Sequence, residues 1–199
     1  MRRGAGRRVV LGRRYREAIE LALELHATQR RKGTQVPYAS HLLSTSALVL
    51  QFGGDEDQAI AGLLHDAAED AGGRPTLERI RKAFGDRVAD VVGACTDSFE
   101  DPKPAWRPRK EAYIAGVSAM SPQALLVAAC DKLDNARAIV ADLRRDGPRT
   151  LDRFAGGADS VWYYRSIAEA LRATRKVERA VVELELVVRE MEILAAELG

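Results

Sequence analysis

The chain has 199 residues, 46% of them apolar and 30% charged, with a formal net charge of +2. That length suits one domain with a sizeable core. The near-even charge leaves no footprint for nucleic acid, and no apolar run approaches the roughly 18 residues of a membrane-spanning helix. Cys95 and Cys130 are the only cysteines, too few for a disulfide framework, so a reducing, cytoplasmic setting is expected.

Residues 1–12 form a basic arm: Arg2, Arg3, Arg7 and Arg8 have no acidic neighbour and no apolar segment that would make a secretory signal. A solvated tail running into a helix is expected rather than a polyanion-binding arm. From Tyr15 an apolar stripe at Ile19, Ala22 and Leu23 predicts the first helix, and His26 falls on it as a core histidine. Arg31 to Pro37 is a polar turn. A second helix runs from about Ser40 to Leu50, and Gly53-Gly54 ends it. Asp55 caps a third helix carrying His65 and Asp66, which stops at Ala71-Gly72-Gly73. Thr76 is predicted to cap a short helix to Phe84, and Val88, Val91 and Val92 mark another. Thr96 to Pro108, with three prolines, reads as a long loop. Helices resume at Arg109 and from Pro122 to Leu143, and two long helical patterns follow Asp159. The fold class is all-α.

The most informative segment is Leu63-Leu64-His65-Asp66-Ala67-Ala68-Glu69-Asp70. A His-Asp pair in an apolar helical run is costly to bury unless a divalent metal takes the imidazole nitrogen and the carboxylate oxygen. Glu69 and Asp70 lie one turn beyond the pair, which supplies two spare acids. The chain has three histidines, His26, His41 and His65, so any further imidazole ligand comes from the first two. His41 opens the second helix, a position that aims a side chain into a cleft. Asp131 ends the apolar run Leu125 to Cys130, where an unpaired charge is rare. His41, His65, Asp66 and Asp131 make an N/O donor set suited to Mn²⁺, Fe²⁺ or Zn²⁺. For Asp131 the plainer alternative is a salt bridge to Lys132.

These blocks, in order, resemble the HD-domain phosphohydrolases, and more narrowly the hydrolase domain of RelA/SpoT proteins and the stand-alone small alarmone hydrolases. Arg30-Arg31-Lys32-Gly33 with Pro37-Tyr38 and His41 looks like the family's basic turn and first metal histidine. His65-Asp66 with Glu69-Asp70 looks like its HD and ED motifs. Phe84-Gly85, Val88-Ala89 and Thr96-Asp97 look like the short helices that follow. Asp131-Lys132-Leu133 with Asn135 and Arg137 looks like its last metal aspartate and nucleotide-contacting asparagine. The resemblance spans about residues 18 to 172. It departs at Leu42, where the family has proline, and at Asp134 and Ala136, which replace larger residues beside the presumed nucleotide pocket.

The resemblance implies an HD-type helical bundle over residues 13–175 with an additional C-terminal helix over 176–199. It implies hydrolysis of the 3′-pyrophosphate of guanosine tetra- or pentaphosphate to GDP or GTP and pyrophosphate. One divalent ion, Mn²⁺ by preference, would sit on His41, His65, Asp66 and Asp131, with Glu69 and Asp70 orienting water and moving a proton. Arg31 would stack on the base, Lys32 lie near phosphate and Asn135 bond ribose. Lys103 and Arg107, with Arg109 and Lys110, would close over the pyrophosphate. Trp162, Tyr163 and Tyr164 are expected in the core rather than as a base platform. Two alternatives stay open: a phosphohydrolase of another nucleotide (an adenosine 3′-pyrophosphate or the 2′-phosphate of NADPH), and a non-catalytic alarmone sensor. The C-terminal stripe Val181, Leu184, Val188, Met191 and Leu194 is expected to pack within the chain, with a homo-oligomeric interface as the alternative.

Overall fold

The computed structural model describes residues 9–100 and 102–196, and ten α-helices lie among those described residues. They are α1 (Arg13–Leu25), α2 (Ala39–Gln51), α3 (Glu56–Leu64), α4 (Ala67–Asp70), α5 (Gly73–Phe84), α6 (Asp86–Cys95), α7 (Trp106–Gly116), α8 (Pro122–Asp146), α9 (Asp159–Thr174) and α10 (Glu178–Ala196). Short 3₁₀ turns lie at Val117–Ala119 and Pro148–Arg153. The all-α expectation holds, and the one β-bridge among the described residues joins Arg30 to Pro37. The arginines at positions 2 to 8 lie outside the described residues.

The centre of the bundle is α3 and α8. Every residue from Ala59 to Leu64 is buried, and so is every residue from Ala124 to Asp131, the pattern of helices enclosed on all sides. Asp55 accepts from the Gln58 amide and Gln58 reaches back to the Asp55 amide, a capping box that fixes where α3 starts. Ser121 caps α8 by accepting from the Ala124 amide, with Pro122 as its first residue. Gly62 explains how closely α2 meets α3. A Cβ there would stand 3.1 Å from the Ser46 Cα, a tight contact that would force the two helices slightly apart. Fully buried Leu63, Leu64, Leu125 and Leu133 each contribute about 1.5–3 kcal/mol, which offsets the cost of enclosing charged groups beside them. The apolar stripe of α10 packs against α8 and α9, as expected from its sequence.

Four local expectations change. In α1 Tyr15, Ile19 and Ala22 pack on the core as predicted, but Ala18 and Leu21 share that face and Leu23 is 47% exposed. Thr76 is not a cap. Gly72 and Gly73 take positive φ, the helix starts at Gly73, and Thr76 Oγ1 donates to the Ala71 carbonyl. The long loop stops sooner, because α7 begins at Trp106. Pro108 occupies its first turn, where a missing N–H removes no helical bond. Finally, the helix carrying His65 and Asp66 is two helices, α3 and α4, with the pair at the junction.

Candidate active site

That junction decides the geometry. On a regular helix adjacent side chains diverge by about 100°. Here His65 Nε2 and Asp66 Oδ2 lie 3.0 Å apart. His41 of α2 brings its Nε2 to 3.1 Å from His65 Nε2 and 3.5 Å from Asp66 Oδ2. Asp131 of α8 places Oδ1 3.3 Å from His41 Nε2 and 3.4 Å from His65 Nε2. The four residues named from the sequence therefore meet, drawn from three elements. Both histidines are buried, and Asp131 is 3% exposed.

The second nitrogen of each ring is already engaged. His65 Nδ1 lies 2.9 Å from the Gly62 carbonyl and His41 Nδ1 2.6 Å from Asp134 Oδ2. With those Nδ1 protons donated, two Nε2 lone pairs and two carboxylate oxygens face one another. Four atoms of metal-ligand type converging on one point form a set that a cation between them would satisfy. Two ligands about 2.1 Å from a shared ion, at right-angled or tetrahedral spacing, stand about 3.0–3.4 Å apart, close to the separations seen here. Electrostatics agree. Burial would lower the His41 pKa, but hydrogen bonds to Asp131, Asp134 and Asp66 raise it to about 9. Burial likewise opposes the shift at His65, where Asp66 and Asp131 push it well above the usual range. Burial would raise the Asp66 and Asp131 pKa values. The neighbouring imidazole holds Asp66 well below the usual range, and Lys132 with His65 does the same for Asp131. The centre favours positive charge at its middle, and His41, His65 and Asp66 form a group able to hold a metal ion.

Around the centre the carboxylates are propped. Tyr38 Oη donates to Asp66 Oδ2 at 2.5 Å. Asn135 Nδ2 donates to Asp131 Oδ1 at 2.6 Å, and Lys132 Nζ to Asp131 Oδ2 at 2.5 Å. The Lys132 salt bridge foreseen as an alternative thus coexists with the convergence. Glu69 and Asp70 share Lys103, whose Nζ is 2.9 Å from Glu69 Oε1 and 3.0 Å from Asp70 Oδ1. Burial, then the nearby charge of Asp97, raises the Glu69 pKa against the pull of Lys103. Asp97 itself is clamped by Arg109 at 2.5 Å and Lys110 at 2.5 Å. Burial would push its carboxyl up, but Lys110 and Arg109 bring it down to about 2.

These groups line a cavity of about 310 Å³ that includes Asp66, Glu69, Asp131, Lys103, Arg109, Lys110 and Lys132. A second cavity of about 600 Å³, walled by Arg31, Thr34 and Val36, adjoins it, and Lys32, Tyr38, Asn135, Ile139, Phe154 and Tyr164 line both. The turn that carries Arg31 and Lys32 is closed by Arg31 N to Val36 O at 2.9 Å and Tyr38 N to Gln29 O at 3.0 Å. The structure thus places Arg31, Lys32, Asn135 and Lys103 on the two cavities.

Arg107 is not with them. It faces Glu111 at 2.8 Å and Asp159 at 3.2 Å and lies over the Trp162 ring at 3.3 Å. Its position two residues into α7 turns it away from the cavity, whereas Arg109 and Lys110 point in. Arg31 is tethered in the wall of the larger cavity. Its guanidinium bonds Asp134 at 3.1 Å and Asn135 at 3.3 Å. Tyr163 and Tyr164 are buried, as expected, yet also wall the smaller cavity. His26 is buried as predicted but is more than filler. Its Nδ1 meets Gln29 Oε1 at 2.5 Å, and Gln29 Nε2 donates to Asp70 Oδ2 at 2.9 Å. Sequence reasoning gave no role to Gln29, Asp97 or Asp134; the Thr96-Asp97 pair was visible only as part of a motif.

Residues 18–161 of the chain match the HD domain family. The chain belongs to the HD-domain family. Among proteins of that kind, it is 37% identical over 135 residues to guanosine-3′,5′-bis(diphosphate) 3′-pyrophosphohydrolase MESH1 of Xenopus tropicalis, covering 66% of this chain and 70% of the frog protein. It is 33% identical over 122 residues to guanosine-3′,5′-bis(diphosphate) 3′-pyrophosphohydrolase of Aquifex aeolicus. That match takes in 61% of this chain but spans only 17% of the longer bacterial protein. Its fold is similar to the solved structure of a metazoan SpoT ortholog described as hydrolysing ppGpp. The TM-score is 0.77 at 26% identity, covering 94% of this chain and all of the other. The matched range includes His65 and Asp66 at the helix junction.

Proposed function

We propose that the protein is a metal-dependent 3′-pyrophosphohydrolase acting on guanosine tetraphosphate and pentaphosphate, releasing pyrophosphate and GDP or GTP. The observation that carries this is the convergence of His41, His65, Asp66 and Asp131, two of which, Asp66 and Asp131, line a cation-rich cavity that adjoins a larger one. The relatives' names supply the substrate class. In this reading the four residues hold one divalent ion, Mn²⁺ by family resemblance. Such an ion, when bound, supplies Lewis acidity that lowers the pKa of water and offsets charge on a phosphoryl oxygen.

The chain's own residues do the rest. The smaller cavity takes the 3′-pyrophosphate, where Lys103, Arg109, Lys110 and Lys132 offset its charge. The larger one takes the nucleoside, walled by Arg31 and Lys32, with Asn135 and Tyr164 at the boundary. Glu69 accepts the proton of the attacking water, a task suited to a carboxyl whose pKa is raised by burial. Asp70, held between Gln29 and Lys103, orients that water. Oxygen of water bonds to the phosphorus attached to the ribose 3′-oxygen. That P–O bond breaks, and the 3′-oxygen leaves with a proton. Water is the only co-reactant required.

The test is product analysis across guanosine tetraphosphate, an adenosine 3′-pyrophosphate and NADPH with the Mn²⁺-loaded chain. Pyrophosphate released from the guanosine substrate at the highest kcat/KM supports the proposal. Orthophosphate as the sole product, or tight guanosine tetraphosphate binding without turnover, overturns it in favour of another phosphohydrolase or a sensor.

A further inference from the structure

Asp134 lies outside the four-residue centre, and no step of the proposed reaction uses it. We infer that Asp134 is a positioning residue that holds His41 at the centre and, through the same oxygen, ties that histidine to Arg31 in the wall of the larger cavity. The inference rests on reading the centre as the site of a divalent ion.

The contacts are specific. Asp134 Oδ2 lies 2.6 Å from Nδ1 of the fully buried His41 ring. An N–H bonded to a carboxylate at that distance fixes which ring nitrogen carries the proton and turns the Nε2 lone pair toward the centre. The other oxygen, Oδ1, accepts from Ser44 Oγ, so the carboxylate cannot rotate freely. Thr45 Oγ1 also stands 3.5 Å from His41 Nδ1, too far to replace the aspartate. Arg31 Nη1 reaches the same Oδ2 at 3.1 Å, and its Nη2 reaches Asn135 Oδ1 at 3.3 Å. Asn135 in turn donates to Asp131 Oδ1 at 2.6 Å. An unbroken path thus runs from His41 through Asp134, Arg31 and Asn135 to Asp131, and Arg31 walls the larger cavity.

Two substitutions separate the two jobs. Asp134→Ala removes both. Asp134→Asn keeps an oxygen for the His41 N–H and lets its amide donate to Ser44 Oγ, but loses the charge that holds Arg31. The experiment titrates Mn²⁺ calorimetrically into the metal-stripped full chain. Asp134→Ala is expected to bind about 10–100-fold more weakly than wild type, and Asp134→Asn within about threefold of it. With guanosine tetraphosphate as substrate, Asp134→Asn raises KM more than it lowers kcat, because Arg31 loses its preset orientation. One readout needs no variant. In the Zn²⁺-loaded wild type the His41 Nδ1 proton resonates at low field and exchanges slowly. Wild-type Mn²⁺ affinity in Asp134→Ala, or a His41 Nδ1 proton in fast exchange with water, overturns the inference. Orthophosphate release by the wild type sinks the substrate reading and leaves this one standing. A wild type that binds no divalent ion sinks both.

Discussion

The metal centre and the cavity rim use charge in opposite ways. At the centre, His41 on α2, His65 at the end of α3 and Asp131 on α8 are buried, and each is held by a fixed partner: Asp134, the Gly62 carbonyl and Asn135. Their donor atoms converge on one point, where a shared cation would be held. At the rim, Lys103, Arg109, Lys110 and Arg31 come from a loop, a turn and the first turn of α7, and each is already paired with an acid of the same chain. A rim cation can exchange one anionic partner for another, whereas a centre ligand has no substitute. Damage at the centre should therefore abolish turnover, and damage at the rim should grade it.

The largest effect is expected from Asp131→Ala. It removes a proposed ligand and leaves Lys132 without its carboxylate at 2.5 Å. Turnover should fall by about 10³-fold or more, and stability by about 3–5 kcal/mol, measured by pyrophosphate release and denaturant unfolding. Next comes the acid pair. Glu69→Gln with Asp70→Asn should keep Mn²⁺ affinity in calorimetry while lowering kcat by about 10²–10⁴-fold. A joint loss of ion and turnover would merge rim and centre into one unit.

The pH dependence sharpens the contrast. Burial and Asp97 raise the Glu69 pKa, so a base at Glu69 is lost on acidification earlier than an ordinary carboxylate would be. Asp97→Asn removes the second cause and should move the acid limb of kcat/KM to lower pH. Asp97 has the opposite sign. Its folded pKa, about 2, lies below the ordinary 3.8, so its contribution to stability is present above about pH 4 and lost as pH falls toward 2. That contribution is about 2 kcal/mol, and unfolding curves of Asp97→Asn should lack it. The smallest effects separate two basic residues of one segment. Lys103→Ala should raise KM about three- to tenfold. Arg107→Ala, whose side chain lies over Trp162 outside the cavity, should leave KM within about twofold.

What was legible follows the same division. His65-Asp66 and Asp131 stand out because charge inside an apolar run needs a partner, and that reasoning works from one stretch of sequence at a time. His41 followed because imidazoles are scarce. The helices followed from their caps and periods, except where glycine pairs or a first-turn proline moved a boundary. Gln29 and Asp97 were not legible as parts of the site, and Asp134 was placed only beside the presumed nucleotide pocket, not on His41. Each acts through a partner dozens of residues away or through the direction its side chain takes, as in the Asp134 contact to His41, 93 positions apart. Arg107 failed for the same reason in reverse: a basic residue near a helix start carries no sign of which way it faces.

The most direct test adds Mn²⁺ stepwise to the metal-stripped chain while pyrophosphate release from guanosine tetraphosphate is followed. Release should rise linearly to a plateau at one ion per chain in the wild type and stay at background in His65→Ala at every concentration. Release that needs no divalent ion, or that survives intact in His65→Ala, would contradict the account.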